Sequence, residues 1–171
     1  NFVLDVLMSG SRSFAAGQPA PLRYLPRQFA DCAAWQRQWM QGEVATAQLD
    51  YWRTALAEVP PVLDLPADRP RPAVQGLHGS SLRIELPLEL CESVRRLSRQ
   101  QGVTLFMTLL AALEVLLQRL TSQNDFCVGS GIANRRWPET GSLIGMLVNP
   151  IALPAALPAN PTFRDLLLRV R

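Results

Sequence analysis

The chain has 171 residues, 48% of them hydrophobic and 18% charged, the balance of a folded chain rather than a disordered one. Its formal charge is +3, every basic residue is arginine, and no basic run is interleaved with aromatics, which excludes the footprint of a nucleic-acid binder. Three scattered cysteines (Cys32, Cys91, Cys127), no CxxC pair and one histidine exclude metal-ligand spacing and predict reduced thiols in a cytoplasmic protein.

Phe2, Val3, Val6 and Leu7 recur at helical spacing, predicting a first helix over residues 2–15 that ends near Gly17. The Pro-punctuated stretch Gln18–Pro21 then reads as a loop. A second helix is expected over Arg27–Gln41, with Phe29, Ala33, Trp39 and Met40 as apolar contacts and a break at Gly42. A third follows over Glu43–Glu58 through Val44, Leu49, Trp52 and Leu56. Val59–Gly79 holds Pro60, Pro61, Pro66, Pro70 and Pro72, and each proline fixes φ and removes a donor, so this span reads as a linker. It divides the chain into residues 1–75 and 76–171.

Beyond the linker, Leu82, Ile84 and Leu86 alternate with Arg83 and Glu85, the period of a half-buried strand. Pro87–Gln101 reads as an amphipathic helix with Leu90, Val94 and Leu97 on one face and Gly102 as its left-handed stop. Val103–Leu120 is apolar nearly all round and predicts a core helix. Its most apolar part, Val103–Leu117, is shorter than the ~20 residues a bilayer needs and contains Glu114, so no membrane span is expected. Phe126–Ile132 and Leu147–Leu153 read as strands, joined by a loop holding Arg135, Arg136 and Trp137. Phe163, Leu166, Leu167 and Val170 mark a last helix after Pro158–Pro161. Helical patterns already run at Phe2 and still run at Val170, so the chain reads as an interior piece of something larger.

Asn149 is the most informative polar residue, because it sits in the apolar run Leu147–Leu153. An unpaired buried amide costs about 1–3 kcal/mol, so a buried Asn there either stitches the core or holds something in a site. Asp31, on a mostly apolar helix face, reads as a structural hydrogen-bond acceptor. His78, in the Gly-flanked stretch Gln75–Ser80, reads as a solvated loop residue with no catalytic part. Ser130 and Ser142 lack the context of a nucleophile elbow, so no serine hydrolase is inferred.

Two segments, Gln28–Trp35 (QFADCAAW) and Gly129–Leu153 (GSGIANRRWPETGSLIGMLVNPIAL), resemble motifs of the condensation domain of nonribosomal peptide synthetases. Those motifs run roughly Tyr-x-Asp-Phe-Ala-x-Trp and Ile-Gly-x-Phe-Val-Asn-Thr. Gly17–Leu22, Gln48–Trp52, Leu65–Pro72 and Gly102–Leu113 are similar to further segments of that family, in the same order. The resemblance implies a mixed α/β fold like chloramphenicol acetyltransferase, with two lobes and a tunnel between them. Residues 1–75 would close the first lobe and supply the linker, and residues 76–171 would begin the second.

The implied activity is amide-bond formation between carrier-bound aminoacyl or peptidyl thioesters. The family's general base is the second histidine of His-His-x-x-x-Asp-Gly, a motif this chain lacks and which the register places a few residues upstream of Asn1. No catalytic residue is therefore expected inside the chain, and the chain alone is expected to be inactive. No cofactor or metal is expected to bind directly; the substrates ride on phosphopantetheine arms. The implied partners are carrier domains and the adenylation domains of the same synthetase, with no nucleic acid and no membrane. Arg135 matches the arginine that pairs with the motif's Asp and supports the active site, while Arg136 reads as solvated. Asn149 would order the tunnel wall, and Asp31, Trp35 and Gly145 fall on structural motif positions. The chain departs from the pattern at Phe29 (usually Tyr), Cys32 (usually aromatic) and Pro150 (usually Thr). Pro150 predicts a bulge or weak pairing. Two alternatives share the fold: an epimerisation domain, and a non-catalytic docking domain whose upstream histidines are substituted. The Asp-Arg-Pro-Arg-Pro run and Ile144-Gly145 with Val148-Asn149 favour condensation.

Overall fold

A computed structural model describes residues 2–19, 25–70, 72, 74, 76, 79–157 and 161–171. The Pro-punctuated loop at 18–21, His78 and the 158–161 loop lie wholly or partly outside the described residues. The elements in chain order are α1 (Phe2–Ala15), α2 (Phe29–Trp39), α3 (Gly42–Ala55), α4 (Leu88–Gln100), α5 (Leu105–Thr121), β1 (Asp125–Ile132), β2 (Asn149–Ala156) and α6 (Phe163–Val170). A 3-10 turn at Pro138–Thr140 interrupts the connection between the strands. No single helix among the described residues is long and apolar enough to cross a membrane.

The chain forms two compact units: Asn1–Ala55 with Gly129–Ile151, and Leu56–Val128 with Ala152–Arg171. In the second unit, Ala111, Phe126, Ala155, Leu157, Leu166 and Leu167 make the buried core, flanked by Leu63, Val103, Val115, Leu117, Val128 and Val170. α5 packs on α4 and α6. Thr104 caps α5 by accepting from the Met107 N–H at 3.2 Å, and Gly102, at φ +65, lets the chain turn out of α4. The hydroxyls of Ser98 on α4 and Thr108 on α5 are buried and 2.8 Å apart, and each also lies within donating distance of a carbonyl one turn back, Val94 and Thr104, so neither is left unpaired where water is excluded. α6 opens with a reciprocal cap: the Asp165 N–H donates to the Thr162 hydroxyl, and the Thr162 hydroxyl and N–H both donate to the Asp165 carboxylate. Those bonds hold the Asp165 pKa below its usual range.

The linker has no helix or strand between α3 and α4 among the described residues. It is pinned to the second unit by Gln123, whose amide oxygen accepts from the Asp64 N–H at 2.7 Å and whose amide nitrogen donates to the Val62 carbonyl at 3.2 Å. One side chain thus satisfies a donor and an acceptor that a Pro-rich segment cannot pair in a ladder.

Two expectations change here. Residues 82–86 form no strand among the described residues, and Leu82 is 84% exposed, because alternation alone supplies no partner strand. α5 is not buried all round. Its covered face carries Thr108, Ala111 and Glu114, whereas Leu105, Phe106, Leu109, Leu113, Leu116 and Leu120 remain 39–57% exposed. The small Ala111 and the paired Thr108 let α4 and α6 approach on that side, and Leu90 of α4 also stays exposed. Pro150 lies inside β2, which runs from Asn149 to Ala156. Gly131 lies beside Val148 at one end and the Leu157 N–H donates to the Asn124 carbonyl at the other, so the strands are antiparallel.

Glu114 is 3% exposed on the covered face of α5, and burial raises its pKa above the usual carboxyl range. The folded state therefore holds its proton more tightly than the unfolded chain. This group's contribution to stability is most favourable below the unfolded pKa and is lost as pH rises through the folded one. Glu114→Gln is expected to raise Tm at neutral pH and to flatten the decline between acid and neutral pH. Thermal melts of both forms across that range check it, and an unchanged pH slope would contradict the assignment.

Candidate functional site

The first unit brings together the two segments that carry the motif resemblance. α2 starts where the Gln28 N–H donates to the Asp31 carboxylate at 2.8 Å, so Asp31 closes the helix start as a structural acceptor. One turn on, Trp35 stacks on Trp39 (centroids 5.7 Å, planes 9° apart) and meets Trp137 edge-on (4.8 Å, 82°). Trp137 belongs to the connection between the strands, so the indole contact ties that connection to α2. Arg27, Asp31, Cys32 and Trp35 on one side, and Trp137, Glu139, Thr140 and Leu143 on the other, line a cleft of about 370 Å³.

β1 leaves the sheet through Asn134, whose φ of +51 is a left-handed conformation that Asn tolerates better than most residues. The turn delivers Arg135 to the backbone carbonyls of the 140–145 loop. Its Nη1 donates to the Thr140 carbonyl and to the Leu143 carbonyl (3.0 Å), and its Nη2 donates to the Gly145 carbonyl (3.4 Å). The Thr140 hydroxyl donates in turn to the Trp137 carbonyl at 2.7 Å, closing the 3-10 turn. Gly145 has no room for a side chain: an added Cβ would stand 2.5 Å from Cγ of Phe29.

Asp31, Trp35, Arg135 and Gly145 are thus joined through Phe29, Trp137 and the loop. Asn149 is not part of that contact set. It opens β2 and is exposed, so the expectation of a buried amide is not met: among the described residues β2 pairs with β1 alone, and its first two residues are exposed. Arg136 is exposed. The sequence placed Trp39 on the second helix and Trp137 in the loop, but not the contacts of Trp35 with both or the approach of Phe29 to Gly145. A lone glycine within the apolar run Ile144–Val148 was the available signal, since such a residue marks a close approach of another group. Among the described residues no group of His, Cys, Asp or Glu could hold a metal ion. The cysteines are free, and burial raises the Cys127 thiol pKa, keeping it protonated.

The family profile described as "Condensation domain" matches residues 4–171. One of the linear gramicidin synthase polypeptides of Brevibacillus parabrevis is 46% identical over 169 residues, covering 99% of this chain and 3% of that protein. Phosphinothricin tripeptide synthetase PhsC of Streptomyces viridochromogenes is 41% identical, covering 91% of this chain and 14% of that protein. The X-domain from teicoplanin biosynthesis superposes with a TM-score of 0.88 at 25% identity, over 99% of this chain and 40% of that one. The first condensation domain of the CDA synthetase superposes at 0.75 with 19% identity, over 96% of this chain and 36% of that one, a likeness of fold. The chain spans a small fraction of the curated relatives it matches and less than half of the solved domains. By profile, identity and fold, it belongs to the condensation-domain family.

Proposed function

We propose that the protein containing this chain forms amide bonds between aminoacyl or peptidyl groups held as thioesters on carrier domains. The observation that carries this reading is that two motif segments far apart in sequence meet in one compact unit, through Trp35–Trp137 and Phe29–Gly145. The synthase and synthetase relatives at 41–50% identity support it. Residues 1–75 close a first lobe and 76–171 begin a second. Carrier arms of phosphopantetheine deliver both substrates, and adenylation domains of the same synthetase load them, in the cytoplasm.

The attacking α-amine must be neutral, and a histidine with a pKa near ~6.5 can accept or orient its proton at neutral pH. That histidine is proposed in a His-His-x-x-x-Asp-Gly motif shortly before Asn1. Holding both arms in line turns a bimolecular step into a positioned one. Arg135 supports the site by directing its uncommitted N–H donors to the motif's Asp, since three of its five point at carbonyls. Asn149, exposed at the start of β2, supplies an amide to the tunnel wall. Reading the sequence immediately before Asn1 and assaying the intact domain with two loaded carriers tests the proposal. An intact histidine motif and a dipeptide are expected; unrelated upstream sequence or no product would refute it.

One observation favours a second reading, a docking module. The X-domain that superposes at 0.88 is also solved as a complex with OxyB, where it superposes at 0.86, whereas the condensation domain of the CDA synthetase superposes at 0.75. Substituted histidines upstream, with no dipeptide formed, would select it.

A further inference from the structure

We propose that Arg135, Gly145 and Phe29 form a lock that positions the segment from Thr140 to Asn149, with Arg135 acting as a positioning residue through backbone carbonyls. The inference rests on the condensation reading above. A guanidinium presents its donors in a rigid planar fork, and here two nitrogens of that fork gather three carbonyls of one short loop. Thr140 and Leu143, which supply two of them, are buried, so water competes poorly for those acceptors. The third acceptor is Gly145, the residue on which the Phe29 ring rests so closely that its Cγ falls 2.5 Å from where a Cβ would be. The cation therefore holds Gly145 in place from the loop side while Phe29 blocks it from the α2 side. Phe29 lies on the same helix as Asp31 and Trp35, and Gly145 leads in four residues to Asn149 and β2. A displaced Gly145 carries the start of β2 with it. Lysine, a point charge on a flexible stem, cannot reproduce a planar fork that reaches the carbonyls from two nitrogens.

The test uses the intact condensation domain that contains this chain, with Tm and dipeptide formation as readouts and rates taken well below each variant's Tm. Gly145→Ala is expected to lower Tm by about 2–8 °C through overpacking, and adding Phe29→Ala should recover most of that loss. Arg135→Ala and Arg135→Lys should each lower kcat by roughly 10–100-fold while the domain stays folded, with the pH–rate profile unmoved. The double variant Arg135→Ala with Gly145→Ala should be no slower than the worse single, because both release the same loop. Arg136→Ala, on an exposed side chain, serves as the silent control. Full activity in Arg135→Lys would reduce Arg135 to a charge and overturn the lock, as would a Gly145→Ala loss that Phe29→Ala fails to relieve. Should the unmodified domain make no dipeptide, the condensation reading falls, while the Tm cycle between Phe29 and Gly145 still confirms or overturns the lock.

Discussion

Residues 1–171 produced alone are expected to bind a hydrophobic dye strongly, to self-associate and to form no dipeptide from two loaded carriers. The reason is the outer face of α5, where Leu105, Phe106, Leu109, Leu113, Leu116 and Leu120 stay 39–57% exposed along one helix. Fully burying such side chains is worth roughly 1.5–3 kcal/mol each, so six half-covered ones leave on the order of 5 kcal/mol unrealised. That sum approaches the whole stability margin of an ordinary domain, about 5–15 kcal/mol. A contiguous apolar face of this kind is normally covered by other protein. Dye fluorescence and light scattering of the isolated chain, set beside the intact condensation domain, check the expectation. A monomeric, dye-silent, cooperatively melting chain would show that the face is tolerated in water.

Phe126→Ala is expected to cost about 3–5 kcal/mol, the largest loss from any single side chain of the second unit's core. Phe126 is 1% exposed on β1 and packs in the cluster of Ala111, Ala155, Leu157, Leu166 and Leu167. Two of those neighbours are alanines, too short to close over the space the ring leaves, so most of the cavity would persist. Leu109→Ala, on the exposed side of α5, should cost the isolated chain less than half as much, although the two residues look equally hydrophobic in sequence. Urea unfolding of both variants in one background makes the comparison. Similar losses would mean that the exposed face of α5 carries as much packing as the core.

Local order was largely legible in the residues. Helical spacing located α1 to α6 to within a few positions, and Gly102 marked the end of α4 because only a residue free to take φ +65 turns the chain there so cheaply. The prolines of the linker are a signal of the same kind, set by a backbone donor or dihedral within a few residues. The motif resemblance further identified the family, and it named Asp31, Trp35 and Gly145 as structural positions and Arg135 and Asn149 as site supports.

What the sequence could not determine was which surfaces meet. An apolar repeat running all round α5 does not say which side is covered, and the structure covers the side with Thr108, Ala111 and Glu114. Alternation over residues 82–86 reports a preference for extended backbone but not the existence of a partner strand. Asn149 looked buried because its neighbours are apolar, yet burial depends on what lies across the sheet, and among the described residues β2 pairs with β1 alone. The approach of Phe29 to Gly145 and the three carbonyls on Arg135 likewise join residues far apart in the chain or across a loop. Dihedral preference and capping are local energies, fixed within about a turn of chain. Burial and pairing are energies of whole surfaces, and the tertiary structure alone decides which surfaces they are.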